Sequence, residues 1–187
     1  MINETLKVIK SRRTTRKFKS EQIKNEELQA IIEAGLYAPS AHNQQSWNFT
    51  VIQNSELIKE LNRESKEAAK GFNDEVIQKM ANNEKLDVFY GAPTLIIVSG
   101  MDSAMMPQVD CAAATQNMLI AAESLNIGSC WNGFISFLFN GPKAEEYKKK
   151  LNIPEGFTPY YAIALGYKDT KAINAPARRE GTVQYIR

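Results

Sequence analysis

Residues 108–133 read QVDCAAATQNMLIAAESLNIGSCWNG, and the first two-thirds of that stretch decide the fold. Val109, Cys111, Met118, Leu119, Ile120 and Leu125 are spaced by alanines, with no proline or glycine among them. The pattern predicts a helix from Gln108 to Leu125, ended by a left-handed cap at Gly128. Its apolar residues point to several faces, so it must be buried on several faces. At 1.5 Å per residue it is roughly 27 Å long, about the width of a small domain. Covering such a helix in a chain of 187 residues calls for a second subunit.

The flanking sequence alternates unevenly between the two periodicities. Downstream, Ser129 to Gly133 reads as a loop and Phe134 to Phe139 as a short apolar stretch. Pro142 suits the first position of a helix to Leu151. Thr158 to Leu165 reads as a strand closed by Gly166. The polar tail, Tyr167 to Arg187, holds a candidate final strand at Thr182–Ile186 that would be stable only against a partner. Upstream, Ala92 to Ser99 is a strongly apolar strand, and Trp47 to Ile52 is another, rich in aromatic and β-branched residues. Asn3, Asn25 and either Asn54 or Ser55 are candidate N-caps for three helices. Leu28, Ile31, Ile32 and Leu36 form the stripe of the second, which Pro39 stops. Residues 73–89 are expected to be helical in part and are the least regular, a candidate lid or insertion. These elements make an α+β or mixed α/β domain over residues 1–187, and no glycine-rich nucleotide loop follows any strand.

Composition narrows function by exclusion. Charged residues are 24% of the chain and the net charge is +2, which gives no case for a nucleic-acid partner. Cys111 and Cys130 are the only cysteines, with neither metal-ligand spacing nor a disulfide framework. No stretch is apolar over the roughly 18 residues of a membrane span, and the chain reads as cytoplasmic.

Three constellations and one pair carry chemistry. In Arg12-Arg13-Thr14-Thr15-Arg16, arginine forks and threonine hydroxyls can converge on one anion; a solvated basic loop would look the same. In Pro39–Trp47 (PSAHNQQSW), Asn43 and Gln45 each offer an acceptor and a donor suited to the polar edge of a heteroaromatic ring; an ordinary turn with Trp47 in the core is the alternative. His42, the only histidine, has no partner for a triad or a metal. Gly128-Ser129-Cys130-Trp131-Asn132-Gly133 has glycines that permit close backbone approach to a flat ligand, or it is a helix cap and a turn. Cys130 has no adjacent base to make it a nucleophile. Arg178-Arg179 in the tail is either a second phosphate clamp or surface charge. The set is compatible with an anionic, ring-bearing cofactor such as FMN.

These blocks also carry a family resemblance. SRRTTRKF resembles the nitroreductase family's SRRSxRxF, and APSAHNQQSW its APSxxNxQxW. DCAAATQNMLIAAESLNIGSCW resembles its long interface helix and the following loop, and AIALGYKDTKAINAPARR its LGY…P…R ending. The resemblance implies a homodimer with a central, mainly antiparallel sheet flanked by helices. It implies a tail, 167–187, that adds a strand to the partner subunit. It implies two FMN molecules at the interface, contacted by both chains. Arg12, Thr14 and Arg16 would hold the phosphate and the pyrimidine side, and Arg13 would act mainly through its backbone. Asn43 and Gln45 would bond the ring system and ribityl edge. Cys130, Trp131, Asn132 and Gly133 would line one flavin face, with the Asn132 or Gly133 amide near N5. Arg178, rather than Arg179, would reach the phosphate. The implied activity is hydride transfer from NADH or NADPH to a nitroaromatic or quinone, with a non-catalytic flavin carrier as the alternative. Dehalogenation ranks low, because the long extra segments of such enzymes are absent. Serine often stands in the family at the place of Thr14, proline at Ser46 and, in some members, glutamate at Asn132. The serine at position 46 is expected to loosen its loop slightly.

Overall fold

Thr94–Met101 (TLIIVSGM) is apolar at consecutive positions, so a strand built from it must be covered on both faces. Leu95 and Ile97 lie in one hydrophobic cluster and Ile96 and Val98 in another, and all four are fully buried. The structure, a computed structural model, describes residues 3–170 and 174–187. This strand, β2, pairs with β1 (Trp47–Ile52) and β4 (Phe157–Tyr167), and β3 (Ile127–Asn132) pairs with β4. The order is β1-β2-β4-β3, and every neighbouring pair is antiparallel.

Helices lie on both faces of this sheet, as the α+β reading requires. On one face, Leu28 and Ile31 of α2 (Asn25–Leu36) pack with Met118 and Leu119 of α5 (Pro107–Ser124). On the other, Leu61 of α3 (Ser55–Ala69), Ala81 of α4 (Glu75–Asn82), Leu138 of α6 (Ser136–Phe139) and Tyr147 of α7 (Ala144–Lys150) share a core. Helix α1 (Glu4–Ser11) is capped by Asn3, which accepts from Leu6 N–H at 3.0 Å. Asn54 caps α3 in the same way. The key helix α5 buries Cys111, Ala114, Thr115, Met118, Leu119 and Ala122 but leaves Val109 56% and Leu125 39% exposed. One face is covered and the other is open in the single chain.

Several expectations need correction. Lys24, not Asn25, caps α2: its N–H donates to the Glu27 carboxylate at 2.9 Å, and Asn25 is the first helical residue. Leu36 is 52% exposed and drops out of the stripe. Gly128 is not a cap. Asn126 takes the left-handed turn (φ 58), which asparagine tolerates, and the chain enters β3 at once. Residues 129–132 are therefore strand, not loop. The helix after Pro142 starts at Ala144, and β2 starts after Pro93 rather than at Ala92. The 73–89 segment is anchored to the body. Val88 and Phe89 are buried, Val88 N–H donates to Asn62 Oδ1 at 2.9 Å, and Lys66 donates to the carbonyls of Asn83 and Leu86. Residues 182–186 form no strand in the single chain; Val183, Tyr185 and Ile186 are exposed. Residues 171–173 of the tail lie outside the described residues. Among those described, no helix is long and apolar enough to cross a membrane.

Candidate functional site

The basic turn grows out of the end of α1, where Arg12 N–H donates to Val8 O at 2.9 Å. From there the chain runs alongside β3. Thr14 pairs with Ser129 as an isolated parallel bridge, and Thr15 N–H donates to Ser129 O at 2.9 Å. Thr15 is buried against Gly128, where a Cβ would come within 2.8 Å of Thr15 Cγ2. Glycine at 128 thus permits the close approach of the turn to the strand. Lys19 N–H then donates to Tyr167 O, and Asp169 N–H to Lys17 O, tying the same segment to the end of β4.

The arginines are not equivalent. Arg13 Nη2 donates to Lys10 O, so this side chain is partly used within the chain. Among the described residues, Arg12 and Arg16 have no hydrogen-bond or ion-pair partner for their guanidinium groups; Arg16 lies over the Tyr90 ring, 5.8 Å from its centroid. Both stand near Cys130. Burial pushes that thiol up, and Arg16 and then Arg12 offset the rise only in part. The thiol stays protonated near neutral pH and is no nucleophile. Free guanidinium donors with no acidic partner fit an anion.

At the far end of β3 the side chain of Asn132 is engaged internally. It is 6% exposed, donates to Val88 O at 2.6 Å and accepts from Phe134 N–H at 2.9 Å. Only its backbone is left to meet a ligand. Gly133 next to it is exposed, and a Cβ there would meet nothing within 4 Å. Trp131 is half-buried, edge-on to Tyr161 at 4.8 Å.

The Pro39–Trp47 segment is shaped by residues outside the sequence motif. Asp110, in the first turn of α5 and 2% exposed, accepts from Ala41 N–H at 2.9 Å and from Ser46 Oγ–H at 2.7 Å. Gln44 Oε1 accepts from Met105 N–H at 2.9 Å. Between these ties, Asn43 and Gln45 are exposed and hold left-handed backbone, φ 54 and 48. They border a cleft of about 560 Å³ with Glu33, Leu36, Tyr37 and Ala38. Trp47 is buried in the α2–α5 core. Ser46 does not loosen the segment, because its hydroxyl is bonded to Asp110.

The structure brings the basic turn together with β3, and it keeps both away from the 41–46 segment. β1 and β3 are the two edges of the sheet. Trp47 sits level with Thr158 of β4, and Ser129 level with Leu165. Strand spacings of about 4.8 Å and rises of about 3.3 Å per residue put the two sets on the order of 25 Å apart. Arg178 and Arg179 are exposed and make no hydrogen bond or ion pair among the described residues. Asp110 and Tyr90 were missed as site residues, and Thr15 proves to seat the turn through its backbone rather than through a free hydroxyl. No local pattern links Asp110 to a segment nearly seventy residues away.

Over its full length the chain superposes on a Bacteroides fragilis nitroreductase solved with bound FMN, with a TM-score of 0.92, 35% identity and all of both chains covered. A relative in Archaeoglobus fulgidus, provisionally named an NADH dehydrogenase/NAD(P)H nitroreductase, is 35% identical over 91% of this chain and 89% of its own. An iodotyrosine deiodinase of Thermotoga neapolitana is 26% identical over 94% of each chain, so length alone does not set a dehalogenating relative apart. Residues 9–167 match the nitroreductase family. That match takes in the basic turn, the 41–46 segment and all four strands, and this chain belongs to the nitroreductase family.

Proposed function

We propose that this protein is an FMN-dependent oxidoreductase that works as a homodimer and passes reducing equivalents from NADH or NADPH to a nitroaromatic or quinone. The observation that carries the cofactor is the pair of guanidinium groups, Arg12 and Arg16, that have no hydrogen-bond or ion-pair partner among the described residues and are fixed beside β3 by the Thr14–Ser129 and Thr15–Ser129 contacts. An anion held there by charge-assisted hydrogen bonds suits the phosphate and the electron-rich pyrimidine edge of FMN. When bound, FMN supplies the chemistry, accepting a hydride at N5 and returning electrons to the second substrate in a ping-pong cycle. The protein binds and orients. Arg12, Arg16 and Thr14 hold the anionic groups, with Arg13 contributing backbone. Backbone at Asn132 and the open Gly133 let a flat ring approach closely, beside Cys130 and Trp131. The fixed positive charge of Arg12 and Arg16 would stabilise negative charge on a group held beside the turn.

Asn43 and Gln45 complete the reading only if a second copy supplies them. Within one chain they lie on the order of 25 Å from the basic turn. Two copies packed across the open face of α5 would bring one copy's 41–46 segment to the other's arginines. Each chain then acts as one domain, 1–187, whose 167–187 tail covers the partner and whose Arg178 reaches the phosphate. The exposed Val109, Leu125, Tyr185 and Ile186 give that contact its apolar surface. Sedimentation of the holoprotein at micromolar concentration is expected to show a dimer, and a monomer alone would remove the shared site.

Anaerobic stopped-flow tests the activity. NADH or NADPH is expected to bleach the yellow holoprotein, and a quinone or nitroaromatic to restore it, with each substrate competing against the other. If neither nicotinamide bleaches the flavin, the protein is a flavin carrier. If bleaching occurs and only a halogenated tyrosine restores the colour, the acceptor is wrong and the reductase stands.

A further inference from the structure

We propose that Asp110 is a positioning residue of the cofactor site: by holding Ala41 and Ser46 to one carboxyl group, it keeps Asn43 and Gln45 in the left-handed backbone from which they meet FMN. The proposal rests on the FMN reading above and adds to it a residue that touches no ligand.

Three residues of the segment, His42, Asn43 and Gln45, have φ of 50, 54 and 48. That region is costly for any residue with a Cβ, least so for asparagine. Such strain persists only where the surroundings over-determine it. Here the surroundings are specific. Asp110 Oδ1 takes Ala41 N–H at one end of the segment, and Oδ2 takes the Ser46 hydroxyl at the other. Gln45 N–H donates to Ser40 Oγ at 2.9 Å, and Met101 N–H donates to Ser46 O at 2.8 Å. Ser46 is fully buried. Asp110 makes no ion pair among the described residues, so both its oxygens serve the segment. A buried acid is unfavourable unless it is fully hydrogen-bonded, and these two donors supply the bonds. A hydroxyl–carboxyl bond restrains the segment at Ser46. Because Asp110 belongs to α5, the segment is referenced to the long helix as well as to its own neighbours in sequence.

The test uses holoprotein carrying Asp110→Ala, Asp110→Asn or Ser46→Ala, with Leu61→Ala on the opposite sheet face as a control for stability alone. FMN affinity, the visible circular dichroism of bound FMN and the melting temperature of the apoprotein are measured together. Asp110→Ala is expected to weaken FMN binding about tenfold and Ser46→Ala about threefold, both with a weaker flavin dichroism. Asp110→Asn keeps one acceptor and should fall between wild type and Asp110→Ala. Leu61→Ala should melt lower yet bind FMN as the wild type does. Wild-type affinity and dichroism in folded Asp110→Ala would overturn the proposal. If Asp110→Ala does not fold, the same result in Ser46→Ala overturns it. Failure of the wild type itself to bind FMN would overturn the cofactor reading, and this proposal with it.

Discussion

Arg12→Ala is expected to weaken FMN binding by about tenfold to over a hundredfold, the equivalent of about 1.5–3 kcal/mol for a hydrogen bond to a charged group. The side chain sits at the C-terminal end of α1 and has no partner within the chain among the described residues. Its removal therefore breaks nothing internal that would confuse the result, beyond a small loss of favourable charge at the helix end. Arg13→Ala is the contrast. Its guanidinium already serves Lys10 O, so its loss should appear more in the melting temperature than in affinity. Titration of apoprotein with FMN, followed by quenching of flavin fluorescence, measures affinity in both variants, and thermal melts measure their stability. An unchanged dissociation constant in Arg12→Ala would take Arg12 out of the site.

Gly128→Val is expected to lower stability by about 1–3 kcal/mol and to weaken FMN binding in the same variant. Two effects compete at this position. Valine suits a strand, which favours the substitution. Against that, even a Cβ would stand 2.8 Å from Thr15 Cγ2 and 3.0 Å from both Thr15 Cβ and Lys168 Cγ. Thr15 is buried and hydrogen-bonded through its backbone, so it cannot swing aside as a flexible surface chain would. Steric conflict wins, and relief comes by lifting the basic turn off β3. That movement carries Arg12, Thr14 and Arg16 with it, which is why stability and affinity should fall together. Gly71→Ala, where a Cβ meets nothing within 4 Å, is the neutral reference. Thermal melts show the first effect and FMN titration the second. A Gly128→Val protein with both values unchanged would show that the turn is not seated on Gly128.

The elements that were legible in the sequence are those with strong periodicity or unambiguous ends. The strand Trp47–Ile52 agrees with the structure residue for residue, and of the two candidate caps Asn54 and Ser55 it is Asn54 that caps α3. The long helix differs only at its ends. What misled was Gly128. A glycine after a helix ordinarily marks its end, and here the neighbouring Asn126 does that work while the glycine makes room for Thr15. The error turned a strand into a loop and hid the surface on which the basic turn is seated. In the 73–89 segment the helical part was legible, as α4 shows, and the anchoring was not. Its regular part is short, and its burial depends on contacts with Asn62 and Lys66 that no local pattern reveals.

By itself the sequence determined most of the helices, the strands β1, β2 and β4, the arginine turn and the Asn43–Gln45 segment, because periodicity, capping and side-chain chemistry are local properties. Only the tertiary structure decided how those parts relate. It assigned one carboxyl group on α5 to both ends of the 41–46 segment, and it engaged the Asn132 side chain with Val88 and Phe134. It also set the basic turn and the 41–46 segment at opposite edges of one sheet, so that motifs adjacent in a list of candidates are far apart in a single chain. Strand order and the length of α5 impose that separation, and both depend on which distant segments pair rather than on any residue's own preference.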